Sequence, residues 1–393
     1  STISGDYEKT WISALARELK TTGRPNLTKS KAIMLRSFST QKLADEGYVY
    51  HCYGEEKYLR HVVASVFTLR RYDTTRPIAL FCDASHITIL KEAGFESLFD
   101  VIEPLAEAHA SIVGFKHNTH HYMPFTKNLY LDSDMVWCRK PDALWTVAST
   151  YGYTITGMKI ADSFFGGAKD VSVLWDVLSR KRQQTMRRFG VTYLSRVQSG
   201  MIYAKDGALT QRVNHLASEM IKRRHETHFT SRTLEHGRSE ESCEWSLALA
   251  MSKLNLPVYP WLQGQSSPQL DYIGDYTKAD PDFHHVECLY YSDAFVYSFR
   301  GLKSGWLRRL LTRLYGVIPG KGDYMWVTPF VLHFGWMHQK RPFFEFADRT
   351  WIELKGALQQ SIKATSPQDW MVPTQPRIRP TGSDTASVAV SDS

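Results

Sequence analysis

A chain of 393 residues that is 43% apolar and 22% charged can bury one large core or two moderate ones, which excludes a disordered chain. Its formal charge of +8 is too dilute over that length to indicate nucleic acid or an anionic membrane, and a small phosphorylated substrate accounts for part of it equally well. The five cysteines, Cys52, Cys82, Cys138, Cys243 and Cys288, are scattered and never in a C-x-x-C arrangement, so no disulfide framework or zinc knuckle is indicated and a reducing, cytoplasmic compartment is expected.

Residues 1–46 read as a helical extension, with Trp11, Leu15 and Leu19 at helical spacing and "TTGRPN" as a break. The opening stretch lacks the apolar centre of a signal peptide, and no apolar run nears the ~20 residues that span a bilayer. From Gly47 short apolar runs alternate with amphipathic segments. "GYVYHCY" (47–53) is a strand, and Tyr58, Val62, Val66 and Leu69 mark one face of the helix after it. "PIALFCD" (77–83) is a second strand, "HITILKEAGF" a helix closed by Gly94, "FDVIEPL" a third strand and "NLYLDSD" a fourth. This β-α-β-α-β succession predicts an α/β fold with a mostly parallel central sheet flanked by helices.

Past Pro141 the strands "YTITGM" (153–158), "SGMIYA" (199–204), "LPVYPW" (256–261) and "AFVYSF" (294–299) are expected to extend the same sheet. Helices are expected around Val173 to Arg188, Val213 to Arg224 and Trp245 to Leu254. Residues 263–293 read as a long ordered loop, a kind of segment that often carries function. The Ser-, Thr- and Pro-rich stretch 361–393 reads as a disordered tail. The organisation is therefore an extension over 1–46, a first half of the sheet over 47–145, a second half over 146–300, a segment with an amphipathic helix over 301–360, and the tail.

Asp132 and Asp134 follow the apolar run "NLYL" directly. An Asp-x-Asp triplet has little specificity alone, and a second copy, Asp280-Pro281-Asp282, lies in a polar loop. Context separates the two: ligands of open parallel sheets bind beyond the carboxyl ends of strands, where Asp132 and Asp134 emerge. Two carboxylates there hold a hard divalent cation, whereas uncompensated they repel each other. The competing reading makes the pair a cap for the turn into "CRKPDALW".

Over residues 48 to about 145 the chain resembles the GT-A glycosyltransferases, and among them the retaining, glycogenin-like enzymes of family 8. The stretches that carry the resemblance are "YVYHCYGEEKYLRHVVASVFTLRR", "PIALFCD", "FDVIEPL" and "GFKHNTHHYMPFTKNLYLDSDMVW". It implies a GT-A, Rossmann-like fold and a nucleoside-diphosphate-sugar donor, most often UDP-linked, with Mn²⁺ or Mg²⁺ bridging the diphosphate. It further implies donor contacts from His51, Cys52, Tyr53, Tyr58, Lys116, Asp132 and Ser133, with Tyr58 packed on the uracil; each is equally a plain structural residue, Cys52 above all.

The family closes its site with a late His-Phe-x-Gly-x-x-Lys-Pro segment. Here "VLHFGWMHQKRPFF" offers His333 as the third metal ligand, with His338 as the alternative, and Lys340 as a grip on the diphosphate, although Gly335 comes one residue early and Lys340 one late. A nitrogen ligand favours manganese. "VQSGMIYAKD" resembles an Asn-Ser-Gly strand with Gln198 in place of Asn, and "SEESCEW" matches an acidic-amide cluster with Glu244 at its last position and Cys243 in its middle. Gln198 and Glu244 are the catalytic candidates. Glu244 either orients the acceptor hydroxyl or steadies positive charge on the sugar, or is an ordinary first-turn glutamate. "DSFFGGAKD" adds Gly166 and Gly167, which let a backbone approach a sugar or simply make a turn.

"GLKSGWLRRLLTRLYGV" (301–317) sets Leu302, Trp306, Leu307, Leu310, Leu311 and Leu314 against Lys303, Arg308, Arg309 and Arg313. Such a helix lies on an anionic bilayer or packs its apolar face on the core. The first reading implies a lipid-linked acceptor; otherwise a glycan or protein acceptor fits. Two rival functions stand beside glycosyl transfer. A nucleotidyltransferase making nucleotide sugars needs a basic, Gly-rich loop after the first strand, where "YGEEKY" is acidic. A nucleic-acid-binding or base-modifying protein needs a basic stripe interleaved with exposed aromatics, which is not evident.

Overall fold

The computed structural model describes residues 42–158, 178–229, 231–234, 240–261, 264–291, 302, 304–318, 324–335 and 339–363. The expected amino-terminal helix up to residue 41, the expected strand "AFVYSF", Gly166, Gly167, Lys303, His338 and the expected tail from 364 lie outside them.

The first half of the chain runs β1 (Glu46–Cys52), α1 (Glu56–Arg70), β2 (Ile78–Cys82), α2 (Ala84–Ala93), β3 (Val101–Pro104), α3 (Ile112–Lys116), β4 (Lys127–Leu131), β5 (Met135–Trp137) and α4 (Asp142–Ala148). The second half adds β6 (Tyr153–Met158), α5 (Lys181–Phe189), β7 (Arg196–Ala204), α6 (Gly207–Lys222), α7 (Glu244–Lys253) and β8 (Tyr259–Pro260). Seven strands form the central sheet in the order β3-β2-β1-β4-β7-β6-β8. The first four are parallel, and β7 runs antiparallel to both β4 and β6. The expected mostly parallel α/β sheet is thus present, and the second half does extend it.

Side-chain alternation explains why this sheet takes helices on both faces. Along β1, Tyr48, Tyr50 and Cys52 enter one core with Leu59, Val62 and Val66 of α1, while Val49 enters the other with Trp245 and Leu249 of α7. Each fully buried apolar side chain contributes about 1.5–3 kcal/mol. Helix ends follow local chemistry. Gly94, at φ 77°, closes α2 in the left-handed region that glycine takes without strain, and Asp206 caps α6 by accepting from the Leu209 amide at 2.9 Å.

Several expectations need correction. The buried face of α1 carries Leu59, Val62, Val63 and Val66, whereas Tyr58 is 39% exposed; it belongs to the first turn, at the lip of the sheet. The presumed loop 263–293 contains β9 (Gln269–Asp271), β10 (Thr277–Ala279) and β11 (Val286–Tyr291). The closing region holds α8 (Gly305–Gly316), β12 (Tyr324–Val327), β13 (Val331–His333) and α9 (Arg341–Lys363). Because α9 reaches Lys363, the expected start of the tail at 361 falls at least three residues too early.

Candidate active site

At the end of β4 the chain turns through Asp132, Ser133 and Asp134 and leaves the central sheet, continuing as β5. β5 pairs antiparallel with β13, and β13 pairs parallel with β9, so Met135, His333 and Asp271 share one row of a small three-stranded sheet. Backbone bonds lock the junction: the Asp132 amide donates to Gly200 at 2.9 Å and the Phe334 amide to Asp134 at 2.9 Å. Polar residues interrupt the buried run because a second, smaller sheet begins there, and the turn between the sheets carries the carboxylates.

Ligand atoms of Asp132, Asp134 and His333 lie within 4.8 Å of one another. His333 Nε2 is 3.5 Å from Asp134 Oδ1 and 4.0 Å from Asp132 Oδ2. Each aspartate also has a lysine: Lys116 Nζ is 2.7 Å from Asp132 Oδ1, and Lys340 Nζ is 2.6 Å from Asp134 Oδ2. Lys116, itself buried, donates further to Ser199 Oγ at 3.1 Å.

Burial opposes charge on these groups, and their mutual attraction reverses its effect. Burial alone would raise the Asp134 carboxyl, but Lys340 and His333 hold it well below the usual carboxylate range. Burial would lower His333, yet Asp134 and Asp271 lift its imidazole to about 10. Burial likewise lowers Lys116, and Asp132 more than offsets that.

Two carboxylates and an imidazole suit a borderline divalent ion. The walls fit the same purpose: a Cβ on Gly200 would lie 3.3 Å from His333 Nε2, and one on Gly335 would press on His333 Cε1 at 2.6 Å. The two glycines leave the imidazole in a slot between backbone segments.

The other candidates divide. Gln198 donates from its amide nitrogen to Asp271 at 2.6 Å and accepts from Gln269, so both ends of the amide are engaged. Glu244, at the start of α7, accepts from the Ser199 amide at 3.3 Å and so adjoins the Lys116 cluster. His51 stacks on Phe115 at 4.0 Å and 6°, and Tyr53 donates to Glu240 at 3.2 Å. The Cys52 side chain points into the core, 2% exposed, which leaves only its backbone at the strand end. Ser133 sits in the turn. Tyr58 contacts His61 and Lys57 rather than the carboxylate cluster.

The sequence reading missed Asp271, Gln269, Ser199 and Glu240. Asp271 and Gln269 flank Leu270 in an alternating "QLD" triplet, the one signal by which a strand could have been suspected inside the polar segment.

No protein-family model matches the sequence, and no curated protein matches it either. Among solved structures, the chain is similar to the galactosyltransferase LgtC in complex with donor and acceptor sugar analogs, at 11% identity over 83% of this chain and 98% of that one, with a TM-score of 0.44. It is similar to the glycosyltransferase GlyE of Streptococcus pneumoniae TIGR4, at 11% identity over 81% of this chain and 64% of that one, TM-score 0.42. It is also similar to mouse xyloside xylosyltransferase 1 in its apo form, at 11% identity over 57% of this chain and 87% of that one, TM-score 0.37.

Proposed function

We propose that the protein is a metal-dependent glycosyltransferase of the GT-A type, moving a sugar from a nucleoside-diphosphate donor, UDP-linked by resemblance, to a hydroxyl acceptor with retention. The observation that carries this reading is the convergence of Asp132, Asp134 and His333 beyond the carboxyl end of β4, flanked by the buried Lys116 and the half-buried Lys340. Asp132, Asp134 and His333 would hold a divalent ion, Mn²⁺ by ligand chemistry, which would supply positive charge to the departing diphosphate. Lys116 and Lys340 add two ammonium groups at the same place, one for each side of the carboxylate pair. Ring stacking by His51, Tyr53 and Tyr58 suits a nucleobase, and Ser133 lies in the turn that the diphosphate would approach. Glu244 and Gln198 are the groups assigned to the sugar, Glu244 either steadying positive charge on it or orienting the acceptor hydroxyl.

The direct test is incubation with Mn²⁺ and a panel of nucleotide sugars, measuring release of nucleoside diphosphate. Metal-dependent release from at least one donor is expected, abolished by EDTA and restored by Mn²⁺. Release that is indifferent to EDTA would remove the metal assignment.

For the acceptor side, α8 supports peripheral contact with the cytoplasmic face of an anionic membrane, and thus a lipid-linked acceptor rather than a free glycan or protein. Its apolar stripe is only partly covered: Leu307 and Leu311 are half-buried, whereas Trp306 is 64% exposed, Leu310 41% and Leu314 56%. Arg309 and Arg313 are exposed beside it, while Arg308 is turned inward onto Asp275 at 2.6 Å, contrary to the expected basic face. No helix among the described residues is long and apolar enough to cross a membrane. Co-sedimentation with phosphatidylglycerol vesicles is expected for the wild type and at least tenfold weaker for Trp306→Ser/Leu310→Ser. Equal pelleting of the two would reject the contact.

A further inference from the structure

We propose that Asp271 is the positioning residue that sets the His333 imidazole for metal ligation, accepting Nδ1–H so that Nε2 is left to face Asp132 and Asp134. The inference rests on the metal reading above and adds a residue to it that touches neither sugar nor ion.

Two groups compete for His333 Nδ1. Asp271 Oδ1 is 3.0 Å away and the Gln198 amide nitrogen 2.9 Å away. If Gln198 donated to Nδ1, the ring proton would sit on Nε2, and the nitrogen that faces the aspartates would have no lone pair to offer. The neighbouring contacts decide between these arrangements. The Gln198 nitrogen is 2.6 Å from Asp271 Oδ1, while its oxygen accepts from the Gln269 side chain. Rotating that amide would set an oxygen against a carboxylate oxygen and face two NH₂ groups together, losing both bonds. Gln198 therefore donates to Asp271, and because its NH₂ carries a second hydrogen this alone leaves Nδ1 open. The deciding contact is the Asp271 carboxylate, which has only lone pairs, so that its oxygen 3.0 Å away binds Nδ1–H and repels a bare Nδ1, a charge-assisted bond that outweighs a neutral one from Gln198.

The fold makes this contact durable. His333 and Asp271 are directly paired residues on β13 and β9, the Asp271 side chain is even more buried than that of His333, and Gly200 and Gly335 wall the ring in. With the ring plane confined by backbone, the hydrogen bond at Nδ1 selects which nitrogen points at the carboxylates. A carboxylate behind a ligating imidazole fixes its orientation and raises its basicity, and such partners typically matter 10–100-fold in metal affinity.

The test is Mn²⁺ binding by the full-length protein without donor, followed by the loss of the free-ion EPR signal. Asp271→Asn is expected to raise the Mn²⁺ dissociation constant roughly 10–100-fold. In a His333→Ala background the same substitution is expected to change it less than about twofold, because the group it positions is gone. Unchanged affinity in Asp271→Asn, or an equal loss in both backgrounds as general loosening would produce, overturns the inference while leaving the metal site standing. Failure of the wild type to bind Mn²⁺ would remove the metal reading and this inference with it.

Discussion

Asp134→Asn is expected to lower nucleoside-diphosphate release by about 10³-fold, equivalent to about 4 kcal/mol of transition-state stabilisation. The amide keeps the shape of the carboxylate but not its charge. It leaves the Lys340 ammonium at 2.6 Å and the His333 imidazole at 3.5 Å facing a neutral group, and it halves the anionic charge available to a cation. The second Asp-x-Asp copy is an internal control. Asp280 accepts from the His285 amide at 3.0 Å, and Asp282 pairs with Arg349, so this copy organises the turn between β10 and β11. Asp280→Asn should leave turnover within about twofold of the wild type, because it touches no group assigned to the reaction. Wild-type turnover in Asp134→Asn would reject the site.

The largest effect on stability is expected from Asp73→Ala. This carboxylate is buried where the chain passes from α1 to β2, and accepts from Tyr48 Oη at 2.7 Å, Arg76 Nη1 at 2.8 Å, and the Thr75 and Arg76 amides at 3.0 and 3.1 Å. Tyr48 in turn receives the Trp145 indole N–H at 2.9 Å, so the network ties β1 to α4. Its removal leaves the Tyr48 hydroxyl and the Thr75 and Arg76 amides without this acceptor, while the Arg76 guanidinium keeps Glu46 at 2.7 Å and Asp142 at 3.0 Å, at a cost of about 3 kcal/mol. The measurement is the urea midpoint, and a loss under about 1 kcal/mol would contradict the account. Burial works to raise the Asp73 carboxyl, but Arg76 and Tyr48 outweigh it and bring the group down to about 2. The folded value lies below the unfolded one of about 4, so the contribution is complete above pH ~4 and disappears as pH falls towards 2, about 2 kcal/mol in all. Asp73→Ala should lack that part of the acid slope.

The parallel half of the sheet was readable because its strands are long, apolar and punctuated by amphipathic helices. "IALFC" and "KNLYL" are buried from end to end or nearly so, and Gly94 marks a helix end by conformation alone. The small sheet was not readable. β5, β9 and β13 have three residues each, too few to show a period, and they are held by one another rather than by their own composition. The site followed the same division. Asp132, Asp134 and Lys116 stand in or beside long elements and were recognisable, and His333 and Lys340 came from an imperfect match to a late motif. Asp271 lay in a stretch whose Gln, Ser and Pro content resembles a loop, and its role depends on two neighbours, Gln198 and His333, that lie 73 and 62 residues away along the chain. Burial was equally hard to foresee for α8, where Arg308 turns inward and Trp306 outward, because the choice of face depends on Asp275.

The ion pair between Asp134 and Lys340 spans 206 positions along the chain. During synthesis the parallel strands can assemble from local units as they emerge, but β5, though it packs on α1, has no strand partner among the described residues until β13 has been made. A nascent chain, or one cut short before residue 333, therefore carries Asp132 and Asp134 without the imidazole and the second lysine that meet them. The cluster is completed late, when the second of the two sheets closes on the first.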